Sequence, residues 1–365
     1  MKVVQLLYSG MGGHGSVAFS LLNADKEHKW QPVMCFLGIE PLLSAYQRLC
    51  SDRGIEHQYF NATSGKPWRT WLKIYKWLNV CRPDAIILHS STALLPCFFY
   101  SFRRGATLVM VEHQPNALKR SAEWLFSFLA MLLADRVIVL TAKYRKELQE
   151  RLGIYFCSNK IRLVPNGIDT TRFMRPDKPL IHSKTVRLGM AARFTTMKRQ
   201  DILLEMIEEL RRVRPEINWQ LSLAGGGENW HSVCHEVQSR NLWGCISLPG
   251  QLDEPELIRW FQGQDIYLHA SEGETLSTSL LQAMASGLPV VASDVLGIRD
   301  LLGGEPICGV LIGDQSPLGF AEAVMELASS ASYAEALALS GRRLVVSSYS
   351  QDEMFSGYVE ALTVD

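Results

Sequence analysis

Apolar runs of strand length alternate with helix-length amphipathic segments from the first residue to about Leu311. That alternation is the pattern of parallel sheets covered by helices on both faces. Strands are predicted near 2–8, 31–37, 56–60, 84–89, 106–111, 136–140 and 160–164, and again near 186–191, 218–224, 245–248, 265–270, 289–292 and 309–312. Two similar halves of repeated βα units in 365 residues imply two α/β domains, each with its own core. Residues 174–179 hold two prolines and little helix or strand signal, so the linker is expected near 175–184. The expected domains are therefore 1–178 and 184–348. A terminal helix at about 349–365, with Met354, Phe355, Tyr358 and Leu362 at helical spacing, is expected to cross back to the first.

Composition removes several function classes. The 37 Lys and Arg balance 37 Asp and Glu, so no bulk attraction to nucleic acid is expected. The eight cysteines are scattered with no C-x-x-C pair and no metal-like Cys/His spacing, which fits free thiols in a reducing cytoplasm and no structural metal. The apolar stretch 124–134 stops at Asp135 and Arg136, too short to span a bilayer.

In sheets of this kind ligands gather at the carboxyl ends of the strands, where the βα turns converge. The turn and helix after 265–270 are the most informative in the chain. Glu274 lies in the turn, Ser277 is the expected N-cap, and the N–H groups from Leu276 through Thr278 to Ser279 point out of the helix start, a site suited to phosphate. Gln282 lies on the next turn. A sugar and a ribose on either side of one diphosphate suit that spacing. The structural alternative is that Glu274 only complements the helix N-terminus, an effect of about 0.3–1 kcal/mol. After the strand at 186–191 come Arg193 and Lys198, two cations at a strand end, with Lys198 expected to open a helix over 198–212. A cation at a helix N-terminus opposes the helix dipole, which favours a ligand role for Lys198.

In the first half, Gly10, Gly12, Gly13 and Gly15 form a loop after strand 1 without the G-x-G-x-x-G dinucleotide spacing. His113 ends a strand, where it either contacts a ligand or caps a loop, and His89 has a similar place with a weaker claim. The segment 66–78 interleaves three tryptophans with four basic residues. Trp71, Leu72, Tyr75 and Leu78 are expected to form its buried stripe, with Trp68 or Trp77 beside the cations. A solvated basic face over a buried aromatic stripe is the first reading of this pattern, and peripheral contact with an anionic membrane is the second.

The stretch from Glu274 through Gln282 to Ala283-Met284-Ala285-Ser286-Gly287-Leu288-Pro289-Val290-Val291 resembles the signature of family 4 retaining glycosyltransferases of the GT-B fold. There a glutamate, seven residues and a second glutamate precede Ala-Met-Ala-x-Gly-x-Pro-Val-Val, and Gln282 stands in the second glutamate's place. The resemblance implies two Rossmann-like parallel-sheet domains facing a central cleft. It implies that Glu274 bonds donor-sugar hydroxyls, that the residue at 282 bonds ribose, that Arg193 and Lys198 bind the diphosphate, and that His113 contacts the transferred sugar. The same resemblance places Gly12, Gly13, Gly225, Gly250, Leu252, Leu276, Ser277 and Thr278 at the donor. Catalytic roles then fall to His113, Glu274, Arg193 and Lys198, with no metal and no cofactor beyond the nucleotide-sugar substrate. The amide of Gln282 still accepts a hydrogen bond but lacks the strength of a carboxylate.

The implied reaction is retaining transfer of a hexose or N-acetylhexosamine, UDP-linked, to a glycan or lipid-linked saccharide in surface polysaccharide synthesis. It would take place in the cytoplasm or on the inner face of the membrane. A sugar-nucleotide epimerase and a non-catalytic sugar-nucleotide-binding protein share the fold and stay open as alternatives. An NAD-dependent enzyme is a weaker third, since the fingerprint is missing.

Overall fold

In the computed structural model the described residues are 1–10, 13–62, 67–114, 116, 119–174 and 184–363. They form two compact units, Met1–Gly167 with Gln351–Asp365, and Ile168–Ser350.

The first unit holds a seven-stranded sheet of β1 (Lys2–Tyr8), β2 (Gln31–Gly38), β3 (Glu56–Asn61), β4 (Ala85–Leu88), β5 (Thr107–Glu112), β6 (Arg136–Val139) and β7 (Ile161–Leu163), in the order β3-β2-β1-β4-β5-β6-β7. Every pairing is parallel. Its helices are α1 (Gly13–Ala24), α2 (Ser44–Asp52), α3 (Pro67–Cys81), α4 (Leu94–Arg104), α5 (Ser121–Leu133) and α6 (Ala142–Leu152). The central strands are buried on both faces, which is why β4 reads as an unbroken apolar run and β1 as one interrupted by the buried Gln5. On one face Leu6, Ile86, Leu88, Leu108 and Met110 pack with Ile74 and Leu78 of α3 and Cys97 and Tyr100 of α4.

The second unit repeats the plan with β8 (Thr185–Ala191), β9 (Asn218–Ala224), β10 (Ile246–Gly250), β11 (Ile266–His269), β12 (Val290–Ser293) and β13 (Val310–Ile312), in the order β10-β9-β8-β11-β12-β13, all parallel. Its helices are α7 (Gln200–Val213), α8 (Trp230–Ser239), α9 (Glu254–Gln262), α10 (Thr278–Ala285), α11 (Leu296–Leu302), α12 (Pro317–Ser329) and α13 (Ala331–Ser348). In α7 the residues Ile202, Leu203, Met206, Ile207 and Leu210 recur on one face and are buried. The last helix, α14 (Gln351–Leu362), returns to the first unit, where Phe355 packs against Trp30 with ring centroids 4.7 Å apart.

The chain passes between units at Gly167 and Ile168, and again at Ser350 and Gln351. Residues 168–174, read from sequence with the first domain, hold instead to the second unit: Ile168 bridges Ser350, and Arg172 Nη1 pairs with Glu254 at 2.6 Å. Of the expected linker, 175–183 lies outside the described residues.

Two local expectations need correction. Lys198 does not open α7. It closes a single 3₁₀ turn (Thr196–Lys198), and Arg199, at φ 20°, turns the chain into the helix at Gln200. In α3 the buried stripe is Thr70, Ile74, Leu78 and Cys81, while Leu72 is half in solvent. Both sets obey the helical period, and the face that packs on the sheet is the one at i, i+4, i+8 and i+11, which leaves the more apolar Leu72 on the outer face. Trp77 packs edge-on against Phe60, and Trp68 is exposed with the Arg69 guanidinium 5.2 Å from its ring. Lys66 lies outside the described residues.

Candidate functional site

In the second sheet the strand order runs outward in opposite senses from β8 and β11, so the loops leaving these two strands part at their carboxyl ends and open a crevice. Those loops carry Arg193, Lys198 and Glu274. Backbone and side chain stitch them together: the Met197 carbonyl accepts from Glu272 N at 2.9 Å and from Ser271 Oγ at 3.2 Å. Arg199 adds an ion pair to Glu272 at 3.3 Å.

At the centre Lys198 Nζ and Glu274 Oε1 are in direct contact, both side chains largely withdrawn from solvent. Glu274 Oε1 also takes His269 Nε2 at 2.8 Å. Burial, with the Lys198 charge beside it, holds His269 well below the ordinary imidazole range. The ring is therefore neutral, and the nitrogen facing the carboxylate carries the proton. Its Nδ1 lies 3.3 Å from the Tyr267 hydroxyl, which donates its one proton there while its oxygen lies 3.1 Å from Ser279 Oγ, whose hydroxyl it can accept from. Burial lowers the Lys198 ammonium to about 8. The result is a buried line from a cation through a carboxylate, an imidazole and a phenol to the first turn of α10.

Ser277 is the N-cap of α10, as its spacing predicts: its Oγ accepts from Leu280 N at 3.4 Å. Helix geometry gives the Thr278 and Ser279 N–H groups no intrahelical partner, so the start of α10 offers donors and positive potential. Leu276, Ser277 and Gln282 are buried here, with Gln282 on the next turn.

The glycines have defined tasks. Gly225 and Gly227 sit at φ 134° and 150°, and a Cβ on either would run into the backbone of Ala192 or Phe194. The β9 loop thereby lies against the segment holding Arg193, with Phe194 N donating to Gly226 O at 2.9 Å and Gly225 N to Gly250 O at 2.8 Å. Arg193 Nη2 is 3.6 Å from Glu228, which follows those glycines. Leu252 is half-buried just ahead of α9, whose N-cap Asp253 exchanges hydrogen bonds with Glu256.

Sequence reasoning missed two members of this set. His269 closes an apolar strand, and its polarity at a strand's carboxyl end was the available signal. Gly297 of α11 donates its N–H to Glu274 O at 3.2 Å, and a Cβ there would strike the Thr275 and Glu274 carbonyl oxygens. No sequence signal ties it to the site.

In the first unit Gly13 opens α1, while Gly12 lies outside the described residues. His113 follows β5 and is half-buried, with Nε2 3.0 Å from His89 Nδ1. Directly before it, Glu112 is buried with Lys119 at 2.8 Å and the Tyr144 hydroxyl at 2.9 Å. Among the described residues no group of three or more His, Cys, Asp or Glu side chains is arranged to hold a metal ion. No described helix is long and apolar enough to cross a membrane.

The family described as "Glycosyltransferase Family 4" matches residues 11–172, and that described as "Glycosyl transferases group 1" matches 185–330. Among curated proteins, the D-inositol 3-phosphate glycosyltransferase of Paenarthrobacter aurescens is 26% identical over 53% of this chain and 49% of its own length. The putative glycosyltransferase EpsF of Bacillus subtilis is 31% identical over 37% of this chain and 36% of its own. The chain thus spans about half the length, or less, of such relatives. Among solved structures, Anabaena HepE in complex with UDP and glucose superposes with a TM-score of 0.82 at 16% identity, covering 99% of both chains. That likeness is one of fold.

Proposed function

We propose, for a chain that belongs to the GT-B-fold glycosyltransferases of the family 4 and group 1 type, a sugar transfer from a nucleoside-diphosphate sugar to a hydroxyl of a glycan or lipid-linked saccharide, with retention at the anomeric carbon. The observation that carries the reading is the Lys198–Glu274 contact at the switch point of the second sheet, beside the start of α10. A diphosphate seated there receives the Lys198 ammonium, the Arg193 guanidinium and the Thr278 and Ser279 N–H groups. These stabilise the charge that grows on the leaving nucleoside diphosphate. Lys198 turns from Glu274 to the phosphate, and Glu274, still oriented by His269, accepts from hydroxyls of the sugar. Gln282 takes a ribose hydroxyl through its amide oxygen.

In the reaction the bond from the anomeric carbon to the diphosphate oxygen breaks as the acceptor oxygen bonds to the same face. The departing phosphate takes the acceptor's proton. A UDP-linked hexose or N-acetylhexosamine is the proposed donor, in keeping with HepE, which was solved with UDP-glucose.

One further feature supports contact with an anionic membrane. On α3 and α4, which pack together, Trp68, Leu72, Val80, Phe99 and Phe102 are exposed among the exposed cations Arg69, Lys73, Lys76, Arg103 and Arg104. Apolar anchors ringed by basic residues suit a headgroup surface. Indifference to phosphatidylglycerol vesicles at low salt removes this part of the reading.

Lys198→Ala and Arg193→Ala should each lower turnover by about 10²–10³, the scale of one preorganised charge-stabilising donor. Full activity in either variant takes that residue out of the diphosphate site. Free nucleotide with an extended acceptor marks transfer. A new sugar nucleotide marks epimerisation, and binding without product marks a binding module.

A further inference from the structure

Behind Glu274 the second unit holds a run of buried hydrogen bonds whose members all belong to its own sheet and the first turn of α10. Tyr267 and His269 stand two apart on β11, so their side chains share one face of the strand. Both are fully buried. His269 Nε2 lies 2.8 Å from Glu274 Oε1, the oxygen that also meets Lys198 Nζ. Among the described residues no donor reaches Glu274 Oε2, and the side chain keeps 13% of its surface in solvent. The carboxylate is thus held by one oxygen and open at the other.

The protons can be placed along the run. A carboxylate only accepts, so His269 Nε2 carries the hydrogen. The ring is neutral, because burial and the neighbouring Lys198 charge oppose a second proton. Nδ1 is then an acceptor, and the Tyr267 hydroxyl at 3.3 Å is its donor. That hydroxyl has one proton and lies as far from the Ala191 carbonyl oxygen, at 3.3 Å. Given to Nδ1, the proton leaves the phenol oxygen free to accept from Ser279 Oγ at 3.1 Å. When a diphosphate draws Lys198 away, His269 is, among the described residues, the donor that stays on Oε1.

We infer that Tyr267 and His269 are positioning residues that decide which oxygen of Glu274 meets the donor: His269 keeps Oε1, Oε2 is left for sugar hydroxyls, and the pair thereby sets the preference for a sugar conjugate over its free nucleotide. This inference rests on the reading of Glu274 as a sugar contact. It divides the work of binding within this one unit. The diphosphate is common to UDP and UDP-glucose and goes to Lys198 and the start of α10, whereas only the conjugate carries a hexose for the carboxylate. A neutral N–H orients the carboxylate without cancelling its charge, so Oε2 keeps the strength of a charged acceptor.

The test is calorimetric titration of the full chain with UDP and with UDP-glucose, beside a proton–nitrogen correlation spectrum of isotope-labelled histidine. The spectrum should show His269 as its Nε2–H tautomer, assigned by its loss in His269→Leu. In that variant the affinity for UDP should stay within about twofold, while the preference for UDP-glucose over UDP falls about tenfold, the scale of one hydrogen bond to a charged group. His269→Gln keeps an N–H donor in reach of Oε1 and should restore most of the preference. In a Glu274→Ala background His269→Leu should change nothing further, because its effect passes through the carboxylate. Tyr267→Phe strips Nδ1 of its donor, so the Nδ1 resonance should move, and an unmoved resonance overturns the part assigned to Tyr267. Nδ1–H on His269 overturns the inference, and so does a His269→Leu variant that keeps the full preference or loses affinity for both ligands alike. Equal binding of the two ligands by the unsubstituted protein, or a preference that survives Glu274→Ala, removes the sugar-contact reading beneath the inference. Either result overturns the specificity role while the tautomer pattern stands.

Discussion

Lys119→Met is the substitution whose cost the structure defines most closely. The Lys119 and Glu112 side chains are 2% and 6% exposed, with Nζ 2.8 Å from Glu112 Oε2. The ammonium also reaches Ser127 Oγ at 2.6 Å and lies 4.8 Å from the centre of the Trp124 ring and 5.1 Å from that of Tyr144. Methionine keeps the stem and much of the ring packing but removes the charge. Glu112 then stays buried with the Tyr144 hydroxyl at 2.9 Å on Oε2, while Oε1 has no hydrogen-bond partner. Breaking a buried pair from one side costs about 3–5 kcal/mol. For a unit of this size each kcal/mol moves the melting temperature by about 2–4 °C, so the first unit's transition should fall by roughly 6–20 °C in scanning calorimetry. The double variant Glu112→Gln/Lys119→Met leaves no buried charge and should recover most of the loss. A single-variant shift under about 3 °C, or a double variant no more stable than the single, refutes the argument that charge desolvation sets the cost.

The remaining predictions concern the second unit. Lys198 is lowered to about 8 by burial, and its charged form is the one that holds diphosphate. As pH rises through that value the free protein loses the cation, so kcat/KM should be level below neutrality and fall about tenfold per pH unit well above 8. A profile flat to pH 9.5 contradicts a required ammonium at 198. Gly297→Ala must displace the carbonyls of Glu274 and Thr275. It should weaken donor binding while the far-ultraviolet circular dichroism stays unchanged, and unaltered donor affinity shows that the turn absorbs the methyl. Gln282→Glu is nearly isosteric and should change donor affinity with little effect on melting temperature. Identical donor binding means that residue 282 does not touch ribose.

Much of the fold was legible because parallel strands buried on both faces leave unbroken apolar runs. Ala85-Ile86-Ile87-Leu88 and Val290-Val291-Ala292-Ser293 announce themselves that way. The N-cap Ser277 was legible because capping is local. Helix α3 was legible as amphipathic but not in its facing: Trp71, Leu72, Tyr75 and Leu78 also recur at helical spacing, and packing selects the adjacent face of Thr70, Ile74, Leu78 and Cys81. The partners of the site residues were hidden for a different reason. His89 and His113 stand 24 positions apart and Gln5 lies 84 from His89, and only the strand order β1-β4-β5 makes them neighbours. Lys198 and Glu274 are 76 positions apart and meet because β8 and β11 are adjacent. Gly297 belongs to a later helix, and its importance rests on the path of two carbonyl groups that no local pattern encodes.

The central claim is that the crevice at the carboxyl ends of β8 and β11 holds the diphosphate of a nucleotide-sugar donor. Calorimetric titration with UDP, GDP, ADP and their common sugar conjugates, repeated on Lys198→Ala, tests it most directly. The account predicts selective binding of one nucleotide and its conjugates, with UDP preferred, and loss of that binding in Lys198→Ala. Binding that survives Lys198→Ala unchanged, or no binding of any of the nucleotides, contradicts it.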